Sequence, residues 1–287
     1  MSAIEPVGAV TAGLGEGPLW DTASETLLWV DIPGGYVHRT DPRTGAETSV
    51  HLGEPVSAVL PARDGSLLAA VGHRLIELGT GAVLAEVPPK PDMRFNDGAA
   101  DPRGRLYLGT MHTAQLPGTA CLYRLNRARV FEPVLEGVTI SNGLGWSPDG
   151  GILYYVDTTS MCVEAIAYDP ESGELGARRV FAEFTEEQGR PDGLTVDEDG
   201  FVWVALIRGA ALHRYAPDGR LDSVVELPVS HPTSCAFGGP DRDELYVTTT
   251  RDLLTGQQRA EQPLAGRLLR LRPGVRGPEP FLVELDS

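Results

Sequence analysis

The sequence is poor in positive charge and in long apolar runs. Its 24 lysines and arginines stand against 40 aspartates and glutamates, which gives a formal net charge of −16. That balance argues against a basic nucleic-acid-binding face and against binding to an anionic membrane surface. No stretch approaches the roughly 18 apolar residues of a membrane span, and the opening MSAIEPVGAV has neither the basic nor the apolar region of a secretory signal. We therefore expect a cytoplasmic protein without nucleic-acid or membrane partners.

Cysteine is also scarce, and two motifs of known chemistry are missing. Cys121, Cys162 and Cys235 are odd in number and form no C-x-x-C pair, which argues against a disulfide framework and a zinc site. We expect buried, reduced thiols. No serine has the G-x-S-x-G setting of a nucleophile elbow, and no helical pattern follows GLGEGP, as a phosphate-binding loop would require.

What the sequence does contain is a sixfold repeat. Each copy is a polar turn followed by a short run of β-branched, aromatic and aliphatic residues, which is typical of a strand. The six runs start at Leu27, Leu67, Leu106, Leu153, Val202 and Leu245. Their spacing of 39 to 49 residues matches the four-stranded blade of a β-propeller.

Alternating polar and apolar residues before and after each run predict at least two more strands per repeat. Helical periodicity is nearly absent; the weak exceptions are FAEFTEEQ near Phe181 and LLTGQQRAEQ from Leu253. We predict an all-β, six-bladed β-propeller with four-stranded blades around a central channel, formed as one domain by residues 1–287. A closed propeller leaves no sheet edge that demands a partner, so we expect a monomer.

One position in each repeat carries an oxygen-bearing side chain. It lies 10 or 11 residues before each run, at the head of the strand expected to line the channel. The six residues are Glu16, Ser57, Asn96, Asn142, Asp192 and Ser234. Equivalent positions converge on the propeller axis, and carboxylates brought together there need a counterion. An all-oxygen set without Cys or His predicts a hard divalent cation whose other positions are taken by water or substrate.

A competing interpretation is that some of these residues simply form turns. Asn96-Asp97-Gly98, Asn142-Gly143 and Asp192-Gly193 are ordinary turn signals. The matched offsets in successive repeats favour the metal site, but the sequence alone leaves both interpretations open.

Five longer stretches resemble the senescence marker protein, gluconolactonase and luciferin-regenerating family, also called regucalcin-like. They are LGEGPLW from Leu14, RFNDGAADPRGRLYLGTM from Arg94, SNGLGWSPDG from Ser141, RPDGLTVDEDGFVWVA from Arg190 and PTSCAFGGPDRDELYVTTTR from Pro232. The resemblance implies a six-bladed propeller with one divalent metal ion bound by Glu16, Asn142 and Asp192. It also implies that Arg94 and Asn96 contact the substrate. Ca²⁺ is the ion expected, and Mg²⁺, Mn²⁺, Zn²⁺ and Fe²⁺ are compatible alternatives.

The chain departs from the family pattern at two places near the expected substrate. Many members have acidic residues after Gly-Thr-Met, where this sequence has His112, Thr113 and Ala114. The glycine-rich stretch that often follows the WVA strand reads LIRGAALHRY, with Arg208 among small residues. His112 is a candidate substrate-binding residue, as a base or as part of the pocket wall, and His231 lies at the same rim. The alternative for both histidines is a merely exposed position.

Hydrolysis of a sugar lactone is the reaction that the resemblance implies. The cation would polarise the lactone carbonyl, Asp192 would take the proton of the attacking water, and Arg94 and Asn96 would hold sugar hydroxyls. Three alternatives stay open: hydrolysis of a phosphoester or phosphotriester, a calcium-binding regulator without enzymatic activity, and an interaction propeller without a metal.

Overall fold

The computed structural model describes residues 3–285, and strands make up nearly all of its regular structure. In chain order the first thirteen are β1 Glu5–Val7, β2 Gly15–Asp21, β3 Thr26–Asp31, β4 Tyr36–Thr40, β5 Glu47–His51, β6 Val56–Pro61, β7 Leu67–Val71, β8 Arg74–Glu77, β9 Val83–Glu86, β10 Met93–Ala100, β11 Leu106–His112, β12 Ala120–Leu125 and β13 Phe131–Val138. The next eleven are β14 Ser141–Trp146, β15 Ile152–Asp157, β16 Cys162–Tyr168, β17 Leu175–Glu183, β18 Arg190–Val196, β19 Val202–Ile207, β20 Ala211–Tyr215, β21 Leu221–Glu226, β22 Pro232–Gly238, β23 Glu244–Thr249 and β24 Leu268–Leu271.

Within residues 3–285 these strands form six four-stranded antiparallel sheets. Blades one to five each take four consecutive strands, beginning with β2, β6, β10, β14 and β18 in turn. The first strand of each blade is its innermost, and each innermost strand contacts that of the next blade until β22 of blade six returns to β2. The predicted six-bladed β-propeller with four-stranded blades is confirmed.

The sixth blade joins the two ends of the chain. Its three inner strands are β22, β23 and β24, and its outer strand is β1. The pairing of β1 with β24 runs from Glu5 opposite Arg270 to Val7 opposite Leu268. Arg270 Nε also donates to Glu5 Oε1 at 3.1 Å. Backbone hydrogen bonds between the first and last strands therefore close the circle.

The six repeated runs lie in the second strand of each blade. Both faces of such a strand are covered by neighbouring blades, so its residues are apolar on both faces and do not alternate. Trp29, Tyr154 and Tyr155 are each at most 1 % exposed. Buried clusters span adjacent blades accordingly; one joins Leu68 of blade two to Leu106 of blade three.

Helical structure in the described residues is limited to a 3-10 helix, Thr158–Ser160, and α1, Gly256–Glu261. The pattern from Leu253 therefore contained a helix, whereas the helical pattern near Phe181 is wrong, because residues 181–183 end β17 and residues 186–188 form a turn. In the described part of the chain no helix is long and apolar enough to cross a membrane.

The three cysteines are free. Cys235 is buried, as expected, but Cys121 and Cys162 are half-buried, so the expectation of buried thiols is wrong for those two. Cys121 and Cys162 lie on β12 and β16, outside the second strands that both neighbouring blades cover.

A C-terminal strap, residues 275–285, crosses the end of the channel opposite the heads of the inner strands. It bonds to blade six through Gly277, whose N–H donates to Arg242 O (2.9 Å), and to blade two through Val283, whose N–H donates to Pro61 O (2.9 Å). The strap residues Pro278–Phe281 line a cavity of about 170 Å³ inside the channel. The strap therefore covers part of this end of the channel.

The strap yields a prediction about stability. Phe281 packs against two core clusters, one between blades two and three and one between blades three and four. Because Phe281 is only half-buried, we expect Phe281→Ala to lower the free energy of unfolding by about 2 kcal/mol, less than a fully buried Phe→Ala change. The neighbouring Leu282 is 37 % exposed, and Leu282→Ala is the matched control, expected within about 0.5 kcal/mol of wild type. Denaturant unfolding measures both, and equal losses would refute the role given to Phe281.

Candidate functional site

Each inner strand carries a β-bulge close to its start. The register breaks lie between Glu16 and Leu19, Val56 and Ala58, Phe95 and Gly98, Ser141 and Leu144, Pro191 and Leu194, and Pro232 and Ser234. A bulge inserts one extra residue into a strand and re-aims the side chains there. The Asn-Asp-Gly, Asn-Gly and Asp-Gly sequences at 96–98, 142–143 and 192–193 therefore lie within strands, and their interpretation as tight turns is wrong.

The side chains at these bulges form the predicted ring, with one correction. Ser57 Oγ donates to the carbonyl oxygen of Phe95, which precedes the ring position of the next blade. Thr233 Oγ1 donates in the same way to Gly15 O at 2.6 Å. Thr233 is thus the equivalent of Ser57, and Ser234 lies one residue further along the channel wall. We define the ring as Glu16, Ser57, Asn96, Asn142, Asp192 and Thr233.

In three of the six ring side chains, every side-chain oxygen already has a hydrogen-bond partner within the protein. The hydroxyls of Ser57 and Thr233 join neighbouring blades, as described. Asn96 donates from Nδ2 to Ser141 O at 3.0 Å and accepts at Oδ1 from Arg94 at 2.9 Å. The side chains that keep an oxygen without a partner among residues 3–285 are Glu16, Asn142 and Asp192.

A turn in blade four fixes the orientation of Asn142. Asp157, at the end of β15, accepts two backbone N–H groups from the loop before β14 and caps the 3-10 helix Thr158–Ser160. Thr158 then accepts from Asn142 Nδ2 at 3.1 Å, and the same Nδ2 donates to Asp192 Oδ1. Asn142 Oδ1 is left buried without a partner in the described chain. Because an unpaired buried acceptor costs free energy, a ligand that binds this oxygen would stabilise the site.

Burial and mutual repulsion oppose ionisation of the ring carboxylates. Glu16 and Asp192 are 7 % and 5 % exposed. Burial, followed by repulsion from Asp192 and Asp97, raises the pKa of Glu16 well above its usual value. Burial, followed by repulsion from Asp97, also raises the pKa of Asp192, against the hydrogen bond from Asn142. Arg94 attracts Glu16, and burial lowers the pKa of this guanidinium to about 10.

Asp97 is a residue of this site that sequence reasoning missed. It follows Asn96 in β10, lines the channel next to the ring, and accepts the N–H of Gly98 at 2.7 Å. Burial raises the pKa of Asp97 to about 6. Its only signal in the sequence was a place between Asn and Gly, which is also the signal of a turn. Three carboxylates therefore influence one another at the channel mouth.

These features fit a hard divalent cation. Two buried carboxylates and an unpartnered amide oxygen are hard oxygen ligands, and a cation offsets the cost of burying their charge. No cluster of three or more His, Cys, Asp or Glu arranged for a metal occurs between residues 3 and 285, so the candidate set is a mixed one of Glu16, Asn142 and Asp192. Three protein ligands leave positions open for water or substrate.

The predicted substrate-binding residues lie on blade three at the ring side of the channel. Arg94 is half-buried in β10, and its hydrogen bond to Asn96 brings these two residues together. His112 is the last residue of β11 and is half-buried. It pairs with Met93, which precedes Asn96 by three positions in β10. Its Nδ1 accepts the N–H of Ala114 at 3.0 Å. His112 is therefore near the mouth, but it bonds to its own loop and not to the ring.

Gly143 allows blades four and five to approach closely beside Asp192. A Cβ at this position would lie 2.6 Å from the Asp192 carbonyl oxygen and 3.0 Å from the backbone nitrogen of Leu194. We predict that Gly143→Ala shifts the Asp192 backbone, costs roughly 1–3 kcal/mol of stability and weakens divalent-ion binding by about tenfold or more, as loss of a ligand's support does.

Gly145→Ala is the matched control for this prediction, since its Cβ would meet only side-chain atoms of Leu194 and Val196. Calorimetric titration with Ca²⁺ and thermal unfolding measure the two effects. If both variants bind the ion equally well, the close approach at Gly143 has no role in shaping the site.

Comparison with known proteins places this chain in one family. The family model described as the SMP-30/Gluconolactonase/LRE-like region matches residues 14–251. Bovine regucalcin is 38 % identical over 279 residues, which cover 93 % of each chain. The Bacillus subtilis protein YvrE, named for a sugar lactone substrate, is 35 % identical over 278 residues, with 94 % and 95 % of the two chains covered.

A solved structure agrees with these sequence matches. The calcium-binding protein regucalcin from Agrobacterium tumefaciens superposes with a TM-score of 0.91 at 30 % identity, and the match covers 96 % of this chain and 95 % of that one. The chain therefore belongs to the SMP-30/gluconolactonase/LRE-like family.

Proposed function

We propose that this protein hydrolyses sugar lactones with one divalent cation held at the ring by Glu16, Asn142 and Asp192. The observation that carries the proposal is the buried, unpartnered Asn142 Oδ1 beside two carboxylates whose pKa values are raised by burial. Family membership supports the reaction, because a relative of nearly the same length is named for a sugar lactone substrate.

Asp192 is the group that we assign to take the proton of the attacking water. One of its oxygens accepts from Asn142, and the other has no partner in residues 3–285, so it can accept a proton while the carboxylate stays oriented. When bound, the cation supplies Lewis-acid polarisation of the lactone carbonyl and keeps the carboxylates ionised.

Arg94 and Asn96 have different roles in this proposal. The hydrogen bonds of Asn96 to Arg94 and to Ser141 O make it a positioning residue that joins blades three and four. Arg94 Nη1 is held by Asn96 and by Phe95 O (2.8 Å), and its other nitrogens are left to donate to substrate oxygens. His112 offers Nε2 to the same space, since its Nδ1 is occupied.

The test is acid release from a panel of sugar lactones by chelator-stripped protein. Ca²⁺, Mg²⁺, Mn²⁺, Zn²⁺ and Fe²⁺ are added back singly, with Ca²⁺ expected to restore turnover. Hydrolysis that appears only after an ion is added supports the proposal and identifies the ion. A stripped protein that binds Ca²⁺ by calorimetry and opens no lactone with any ion overturns it.

Calcium binding without catalysis is the second candidate. A solved relative is described as a calcium-binding protein, and the all-oxygen ligand set suits this ion. Tight Ca²⁺ binding with selectivity over Mg²⁺, combined with no turnover in the lactone panel, favours this candidate.

A further inference from the structure

A tight turn on the rim of blade five brings a cation close to the channel mouth. The turn joins β19 to β20 and contains Arg208 and Ala210, both with positive φ (68° and 50°). It lies on the same side of the propeller as the ring, since Ile207 pairs with Arg190, two residues before Asp192. Arg208 is exposed, and its side chain has no ion-pair partner in the described chain.

His231 fixes this turn from the neighbouring blade. Its Nδ1 accepts the backbone N–H of Arg208 at 3.1 Å, and its carbonyl oxygen accepts the N–H of Thr250 at 3.0 Å. His231 as a whole is 8 % exposed. Burial, followed by the charge of Arg208, lowers the pKa of His231, so its imidazole is uncharged at neutral pH. With Nδ1 occupied as an acceptor, the proton lies on Nε2.

The Arg208–His231 corner, which we define as these two side chains, is close enough to the ring to touch a bound substrate. His231 precedes the ring residue Thr233 by two positions, or about 7 Å of extended strand. The backbone of Arg208 is hydrogen-bonded to His231, and its turn lies on the ring side of blade five. Arg208 is carried by blade five, which also carries Asp192, and His231 directly precedes β22 of blade six, the blade that lies between Asp192 and Glu16 around the channel.

The corner consists of hydrogen-bond donors alone. Arginine has five N–H donors and no acceptor, and His231, whose Nδ1 is an acceptor, carries its proton on Nε2. A sugar hydroxyl both donates and accepts, whereas a carboxylate or a phosphate group only accepts and also carries the complementary charge. A donor-only corner with one positive charge therefore matches an anionic group better than a hydroxyl.

We propose that the substrate is a lactone bearing an anionic group, a carboxylate or a phosphate, which Arg208 and His231 bind while the ring acts on the lactone carbonyl. This inference rests on the proposed lactonase function and adds the class of lactone to it. Arg208 is a specificity-determining residue in this arrangement. His231 contacts the anion through Nε2 and positions Arg208 through Nδ1.

The test compares kcat/KM for three lactones with the ion-loaded, full-length enzyme. They are a neutral aldonolactone, the monolactone of an aldaric acid, which carries a carboxylate, and an aldonolactone phosphorylated at its terminal hydroxyl. We expect at least one anionic lactone to exceed the neutral one by about tenfold to a hundredfold, the range for hydrogen bonds to a charged group. The relative values of the two anionic lactones identify the group that is recognised.

Substitutions separate recognition from structure. Arg208→Gln should lower kcat/KM for the anionic lactone far more than for the neutral one, mainly through KM, and so remove the preference. Arg208→Lys should restore part of the preference. His231→Asn keeps an acceptor for the backbone N–H of Arg208 but loses the Nε2 donor to the anion. His231→Gln can place an amide donor near the position of Nε2. The control is Arg220→Gln, which makes the same charge change in blade five at the exposed turn on the opposite rim.

The outcomes distinguish this inference from the proposed function. If no lactone is opened, the lactonase function itself fails. Two results would overturn the anionic-substrate inference while the lactonase function stands. One is a kcat/KM for the neutral lactone that equals or exceeds that of both anionic lactones. The other is an equal change of the preference in Arg208→Gln and Arg220→Gln. A preference lost in Arg208→Gln and in His231→Asn but kept in Arg220→Gln, because kcat/KM falls mainly for the anionic lactone, supports it.

Discussion

Replacing Asp192 by asparagine is expected to lower kcat for sugar-lactone hydrolysis by about a thousandfold, within the range that general acid–base catalysis contributes. The substitution removes the proton acceptor and one negative ligand while keeping the shape of the side chain. Asn142 Nδ2 would still find an oxygen at that position. Initial rates of acid release at saturating ion and substrate measure the effect.

The same substitution also weakens ion binding, so the two losses have to be separated. Calorimetric titration gives the concentration at which Asp192→Asn is saturated with ion, and kcat is then measured above it. Asp199→Asn is the control, since Asp199 is exposed on the same blade beyond the far end of β18. Wild-type kcat in the saturated Asp192→Asn variant would show that this carboxylate is a ligand and not the base.

The repeat and its architecture were readable from sequence because the second strand of each blade is buried on both faces. LYYVD from Leu153 is an example: Leu153 to Val156 are at most 1 % exposed, and such a run stands out against polar turns. The spacing between runs then identified a blade. Local burial and repeat length are both properties of a single segment, so they need no knowledge of distant contacts.

The outer strands and the β1–β24 pair that closes the circle have no comparable pattern in the sequence. In β5, four of the five residues are exposed, so the segment lacks an apolar face. β1 is only three residues long, and its partner Arg270 lies 265 positions away from Glu5. The strap, with Pro278 and Pro280, has no periodicity at all. These elements depend on a surface that exists only after the other blades have folded.

In the candidate site, sequence counting found the right strands but not every residue. Bulges shift the register by one residue, so an offset of 10 or 11 could not distinguish Thr233 from Ser234. Asp97 was hidden in a turn-like Asn-Asp-Gly stretch that the structure places in β10. The difference between a free oxygen on Asn142 and an engaged one on Asn96 depends on hydrogen bonds from neighbouring blades, which sequence spacing does not contain.

The second large effect concerns the stability of the ion-free protein. Replacing the ring carboxylates is expected to raise this stability, although the same change abolishes activity. In ion-free protein, burial raises the pKa of Glu16 and of Asp192 above their unfolded values near 4. Each group then contributes stability that is fully present below the unfolded pKa and is lost as the pH rises through the folded pKa. The melting temperature of ion-free protein is therefore expected to fall as the pH rises above about 4, the unfolded pKa of these groups.

A double substitution, Glu16→Gln with Asp192→Asn, should make that fall smaller while it abolishes hydrolysis; the part due to Asp97, whose pKa is raised to about 6 by burial, remains in both proteins. Neutral amides avoid the burial of like charges, so the ion-free variant is expected to melt higher than ion-free wild type at pH 8, by roughly 2–4 °C for each kcal/mol relieved.

Asp21 titrates in the opposite sense, because hydrogen bonds from Ser24 and Arg39 outweigh its burial and lower its pKa. Asp21 is present in both proteins, so its effect cancels in the difference between their melting temperatures. Saturating Ca²⁺ should reverse the order, since it stabilises only the protein that keeps both carboxylates. Parallel pH profiles for ion-free wild type and variant would mean that these carboxylates are not forced together, and the case for a cation at the ring would lose its electrostatic basis.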